Sequence, residues 1–313
     1  MDVQIDHPTR KTLGEPGQQV RSVSVALPAG SLDVVTHADP NSAILEVDEV
    51  GGAPITVSFE QGVLKIEQYK DANGQVWGPL KGILGATVGA AFGGGQAGVT
   101  SRVTLTLPRA AKLSVKTVTA DVLVGGLDGS VSAYGVSGSL TLDRLAGSLD
   151  VNLVSGDLEA ASCSGELKAK TVSGRITVQD SPLRSIKLNS VSGAAIIDLS
   201  SGRCLITANA VSGDLTIRMP AAAGYDATVT STSGHVVIDG QTLHSEDGKR
   251  GGHTHEGDRS VAIKARTVSG NVVVLREDPP PSAGPGPVVA QPHPDIDDVQ
   301  DVRPQTPDSD EEI

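Results

Sequence analysis

Six glycines, Gly129, Gly138, Gly147, Gly156, Gly165 and Gly174, follow one another at nine-residue intervals. From Gly193 the beat loosens to steps of nine to eleven, through Gly202, Gly213, Gly224 and Gly234. Every second glycine of the strict run closes a Val-Ser-Gly triplet: Val136-Ser137-Gly138, Val154-Ser155-Gly156 and Val172-Ser173-Gly174. The same triplet recurs at Val191-Ser192-Gly193, Val211-Ser212-Gly213 and Val268-Ser269-Gly270, with Thr232-Ser233-Gly234 as a variant. The full repeat is therefore 18 to 21 residues, made of two strand-and-turn halves. A fixed internal period of this length means a repeat architecture.

Within each half the pattern alternates. The second and fourth residues after a glycine are apolar, as in Leu149 and Val151, Leu167 and Ala169, Ile176 and Val178, or Leu215 and Ile217. The residues between are polar, as in Asp157 and Glu159 or Glu166 and Lys168. Period two marks strands with one buried face, and glycine at the corner supplies the positive φ of a sharp turn. An antiparallel meander and a parallel β-solenoid both fit this alternation. Asp128-Gly129 apart, the turns of the repeat lack the Asn-Gly and Asp-Gly pairs of two-residue hairpins, and Val-Ser-Gly corners alternate with a second corner type at Asp128-Gly129, Ala146-Gly147 and Ser164-Gly165. Alternating corners suit the two ends of a flattened coil. The expectation is an all-β parallel solenoid of two-strand coils, with Gly129, Gly138, Gly147, Gly156, Gly165, Gly174, Gly193, Gly213, Gly234 and Gly270 as its structural turn ladder. Stacked at about 4.8 Å, seven coils ending at Gly270 run roughly 35 Å.

Four regions follow. Residues 1–17 are read as a flexible N-terminus. Residues 18–110 form a β-rich cap over an otherwise open end, carrying strands such as Val23-Val25-Leu27 and Val103-Leu105-Leu107 and a glycine-rich loop at 78–98. Residues 111–276 hold the solenoid repeats, with a polar loop insertion at 239–258 between the last two coils. From Glu277 to Ile313 the chain carries ten acids, one base (Arg303) and nine of the 18 prolines, a composition that leaves it disordered.

The Gly-x-Leu-x-Val strands, the Val-Ser-Gly turns and the opening from Ser22 to Val35, SVSVALPAGSLDVV, resemble a bacterial, actinobacterial-type β-strand-repeat family of unknown function whose members are labelled adhesins. The resemblance spans roughly residues 18–276. It implies a repeat β fold and brings no catalytic motif with it.

The net charge of −12 argues against a nucleic-acid partner, since a phosphate backbone demands a basic face. Most of that charge, −9, belongs to the C-terminal segment. Six aromatic residues in 313 leave little for sugar platforms or base stacking. The start, MDVQIDH, shows no basic-then-apolar leader, and two cysteines make no disulfide framework. Both facts point to the cytoplasm, with a membrane-associated or surface location as the alternative. The run Gly78–Gly98 has the length of a membrane span, but its Gly93-Gly94-Gly95 would break a helix, so a loop is the preferred reading over membrane contact.

Candidate chemical sites are thin. Asp143, Asp150, Asp157, Asp198 and Asp214 fall at different offsets from their glycines, whereas calcium ligands of a β-roll must stack in register. Asp157 and Glu159 share an outward face with no aromatic subsite, which disfavours the glycosidase pair. The seven corner serines are equivalent turn formers with no base to single one out. Cys163 and Cys204 read as small core residues about two coils apart, too far for a disulfide. His253-Thr254-His255 with Glu256 is the one loose metal constellation, and no metal or cofactor is expected. The expected function is a non-enzymatic scaffold or binding module, adhesin-like, acting on an unknown protein partner. A carbohydrate-active β-helix enzyme and a membrane-associated scaffold using residues 78–98 are the alternatives.

Overall fold

The structure is a computed structural model that describes residues 2–14, 17–68, 99–243 and 250–277. The glycine-rich run 78–98, the C-terminal segment beyond Glu277 and residues 244–249 of the polar insertion lie outside the described residues. All regular structure among the described residues is strand, β1 to β24.

The strands form two layers, and like positions of successive coils lie side by side. In sheet A, β8 (Lys112–Gly125) pairs in parallel with β9 (Val131–Ser137), and β11 (Ala146–Ser155), β13 (Ser164–Ser173), β15 (Leu183–Ser192) and β17 (Cys204–Ser212) follow. In sheet B, the second half of β8 pairs with β10 (Leu140–Asp143), then β12 (Leu158–Ala161), β14 (Ile176–Gln179), β16 (Ala195–Asp198) and β18 (Leu215–Met219). The fold is thus an all-β parallel solenoid of two-strand coils. Its core is the space between the sheets. One column, Leu113, Val131, Leu149, Leu167, Ile186 and Ile206, runs down sheet A, and Val122, Leu140, Leu158, Ile176, Ala195 and Leu215 face it from sheet B. Each full-length aliphatic side chain buried this way is worth about 1.5–3 kcal/mol.

The ends depart from chain order. The strands β23 (Val261–Thr267) and β24 (Val272–Arg276) come last in sequence, yet they pair directly with β17 and β18. The earlier strands β19 (Tyr225–Ser231) and β20 (Val236–Ile238) lie on their far side. The insertion expected between the last two coils therefore does not separate them in space; the final coil is slotted in beneath its predecessor. The supposed loop 239–258 also contains strand: β21 (Gln241–Thr242) and β22 (Arg250–Glu256) pair antiparallel with β20 and β19 and form the outer rungs.

The N-terminal end mirrors this arrangement. The long strand β3 (Ser22–His37) sits between β8 on one side and β6 (Val63–Glu67) and β7 (Thr100–Pro108) on the other. Two antiparallel strands, β4 (Ala43–Gly51) and β5 (Ile55–Glu60), then cover β7 and β6, and β2 (Thr9–Leu13) and β1 (Asp2–Ile5) lie on β4 and β5 in turn, also antiparallel. The first residues are not a flexible extension: Ile5 and Leu13 are buried. Two strands of four and five residues offer too few alternations to stand out as a pattern. Ending a parallel stack with antiparallel strands limits the reach of its open edges.

Candidate functional site

The Val-Ser-Gly corner is built on close backbone stacking. A Cβ placed on Gly156, Gly174, Gly193 or Gly213 would lie 2.0–2.4 Å from the carbonyl oxygen of the glycine one coil below. The column continues through Gly270 to Gly234, in the spatial order of the coils. Serine locks the same corner. The hydroxyls of Ser192, Ser212, Ser269 and Ser233 donate to the carbonyls of Val172, Val191, Val211 and Val268, at 3.1–3.4 Å. These serines tie each corner to the one below it.

The valines point outward. In β13 the inward residues are Gly165, Leu167, Ala169 and Thr171, so Val172 falls on the outer side. Val172, Val191, Val211 and Val268 are 47–49% exposed, and Val136 and Val154, half-buried, extend the line. Rungs about 4.8 Å apart make this one continuous apolar edge. Cys163 belongs to the second corner and is a core residue, as expected, buried between Leu145 and Ser181, whose hydroxyl receives the Cys163 N–H at 3.0 Å. The second corner turns on residues with positive φ that are not glycine, Arg144, Ser162 and Asp180, stacked eighteen residues apart.

Two polar columns border the valines on the outer face of sheet A. The nearer runs Lys116, Tyr134, Asn152, Lys170, Asn189, Asn209, Arg266; the next runs Ser132, Asp150, Lys168, Lys187, Thr207, Lys264. Together they hold six bases and one acid. Asp150 pairs with Lys168 at 3.2 Å, and the other five bases make no ion pair among the described residues. Asn209 donates to Asn189 at 3.2 Å, so the amides ladder along the column. A shallow groove crosses this face between Tyr134, Val136, Asn152, Val154, Lys170 and Val172.

The outer face of sheet B has the opposite balance. Asp121, Asp143, Asp157, Glu159, Asp198 and Asp214 stand against Arg175 and Arg218. Three of these carboxylates serve the Val-Ser-Gly corner: Asp121, Asp157 and Asp214 accept the backbone N–H of Ser139, Arg175 and Asn271 at 2.7–2.8 Å. Accepting that N–H, and the Ser139 hydroxyl with it, holds the Asp121 carboxyl below the usual range. Asp143 and Asp198 pair with Arg144 and Arg218. Five of the six acids are thus corner caps or ion-pair partners.

His253 and His255 lie side by side on β22, ring centroids 5.8 Å apart, with His253 Nε2 2.9 Å from Asp226. Glu256 turns away to Arg276, which also holds Asp239. No cluster of three potential metal ligands occurs among the described residues. No helix among them is long and apolar enough to cross a membrane.

Both cysteines are free and buried. Burial pushes the Cys204 thiol up to about 12 and raises that of Cys163. The thiolate is the reactive form, so the folded protein is expected to give no reaction with a thiol reagent near pH 8 and to release both thiols only in denaturant. Prompt labelling of the native protein would show that the corner at Cys163 or the start of β17 opens.

Among solved structures, a "putative cell adhesion protein" from Clostridium sporogenes matches 86% of this chain and 100% of its own at 9% identity, with a TM-score of 0.28. At that score the likeness carries no argument about function. No curated protein matches the sequence. The Toastrack DUF4097 family model matches residues 18–275, from just before β3 to within β24. Its span covers the stacked coils and the strands that interleave at both ends, and the chain belongs to the Toastrack DUF4097 family.

Proposed function

We propose that this chain is a non-enzymatic binding module that acts through protein contacts, with the outer face of sheet A as its contact surface. The observation that carries this reading is the valine edge: four valines in one line, each about half exposed, beside a core whose inward residues are buried. Contiguous exposed apolar surface rimmed by polar groups marks interaction sites. Covering the exposed halves of four valines contributes roughly 3–4 kcal/mol, about millimolar affinity alone, so the lysine and asparagine columns beside them must add to it. An enzymatic reading finds less support, because five of the six carboxylates on sheet B are engaged in corner caps or ion pairs, which leaves Glu159 without a second free carboxylate beside it. Adhesin-type binding and the bacterial origin expected from the resemblance belong to the proposal, as does a cytoplasmic location, which two free thiols suit.

A photo-reactive residue placed at Val191 or Val211 in native cells is expected to give discrete protein adducts. The same residue at Glu60, exposed on the N-terminal cap, gives none. Absence of adducts from both valine positions, or an equal smear from all three, overturns the reading.

A further inference from the structure

We infer that the partner of the sheet A face is a second copy of this chain, which docks through the outer face of its sheet B. The inference rests on reading sheet A as the contact surface and adds what covers it. Charge is segregated across the solenoid: the two polar columns of sheet A carry six bases to one acid, while the outer columns of sheet B carry six acids to two bases. Lys168 and Lys187 are cross-strand neighbours, with Lys170 two residues along. Like charges on adjacent strands are unfavourable, and only Lys168 has an ion partner among the described residues. The counter-charge comes from outside the face.

Sheet B fits that role in three ways. Its charges are opposite. Its rungs have the same spacing of about 4.8 Å, because the same coils set both faces, so the two charge ladders are commensurate. It also carries exposed apolar side chains of its own, Leu123 and Ile196, which a free polyanion would not offer to the valine edge. The contact is front to back, between different faces of the two copies. Such a heterologous contact does not close on itself unless its rotation forms a ring, so the expected assemblies are open chains.

The test is a charge swap on the full-length chain, read by sedimentation. The wild type is expected to associate with rising concentration in about 0.1 M salt and to dissociate in about 1 M, as the screening length falls from about 10 Å to about 3 Å. Reversing one face (Lys170→Glu, Lys187→Glu, Lys264→Glu) or the other (Glu159→Lys, Thr177→Lys, Thr216→Lys) weakens self-association at least about tenfold, near 1.4 kcal/mol. All six positions point outward and none caps a corner, so both variants are expected to keep the wild-type circular dichroism. Mixing the two variants pairs an acidic sheet A with a basic sheet B and restores assembly. A monomeric wild type, reversed variants that associate unchanged, or a mixture that stays apart each overturns the inference. So does a monomeric wild type that binds heparin, which would make the face a polyanion site. If valine-edge adducts form only with other proteins while the chain stays monomeric, the second copy is excluded and the binding-module reading stands.

Discussion

Gly165→Ala is expected to lower stability by about 3–5 kcal/mol, close to the whole stability of a marginal domain. Two costs combine. Gly165 has φ +100, and a Cβ there would sit 2.2 Å from the Gly147 carbonyl oxygen and 2.9 Å from its nitrogen. Backbone conformations of that kind cost an L-residue about 1–2 kcal/mol by themselves. The overlap adds more, because the atoms it strikes are backbone held in a parallel ladder: Gly147 pairs with Gly165, and β11 and β13 continue in register on either side. Rotating a side chain relieves nothing. Two controls separate the terms. Gly240 has φ +76 and open space around it, so Gly240→Ala pays the conformational cost alone, about 1 kcal/mol. Gly252 has neither constraint, and Gly252→Ala should melt with the wild type. Thermal melts by circular dichroism rank the three. If Gly165→Ala falls with Gly240→Ala, the coils can separate locally and the close stack is not what holds the corner.

That glycine ladder is also what made the fold readable. Strict alternation after Gly129, Gly147 and Gly165 identified inward residues such as Leu149, Leu167 and Ala169, and the alternating corners pointed to parallel coils. The candidate site was legible by the same rule only in part: counting on from Leu167 puts Thr171 inside and Val172 outside, but a Val-Ser-Gly triplet reads first as a turn, and the line of valines appears only once the coils are stacked. Segregation of charge between the faces needs the coil register first, since Lys168 and Glu159 are near neighbours in sequence and lie on opposite sides of the solenoid. The first two strands, β1 and β2, and the order of the last coils were not legible. Ile5 and Leu13 are single apolar residues in polar surroundings, and all coils carry equivalent corner chemistry, so nothing local says that Gly270 stacks on Gly213 and Gly234 on Gly270.

That last stacking order makes the C-terminal coil unlike the end of an ordinary repeat array. Where coils stack in chain order, losing the last one removes a single interface and leaves the rest folded. Here a chain ending at Asp258 loses β23 and β24 from between two layers. Val261, Ile263, Ala265, Val272 and Val274 leave the core; β17 and β18 keep β15 and β16 but lose the partner on their other side, and β19 and β20 lose the parallel partners that hold them to the stack. The expected result is loss of the cooperative melt or a fall of more than about 15 °C, as about 5 kcal/mol implies for a domain of this size. The sharper comparison is an internal deletion joining Ala222 to Arg259, which removes β19 to β22. It leaves a five-residue link between Met219 and Val261, the length that already joins Asp198 to Cys204 between successive coils. β23 and β24 then follow β18 in plain chain order, with every pair between these coils intact. This variant is expected to fold and melt cooperatively, less stable than the full chain for want of its outer rungs. A truncation at Asp258 that melts like the wild type, or an internal deletion that unfolds where the truncation does not, would show that the slotted coil is not the element that closes this end.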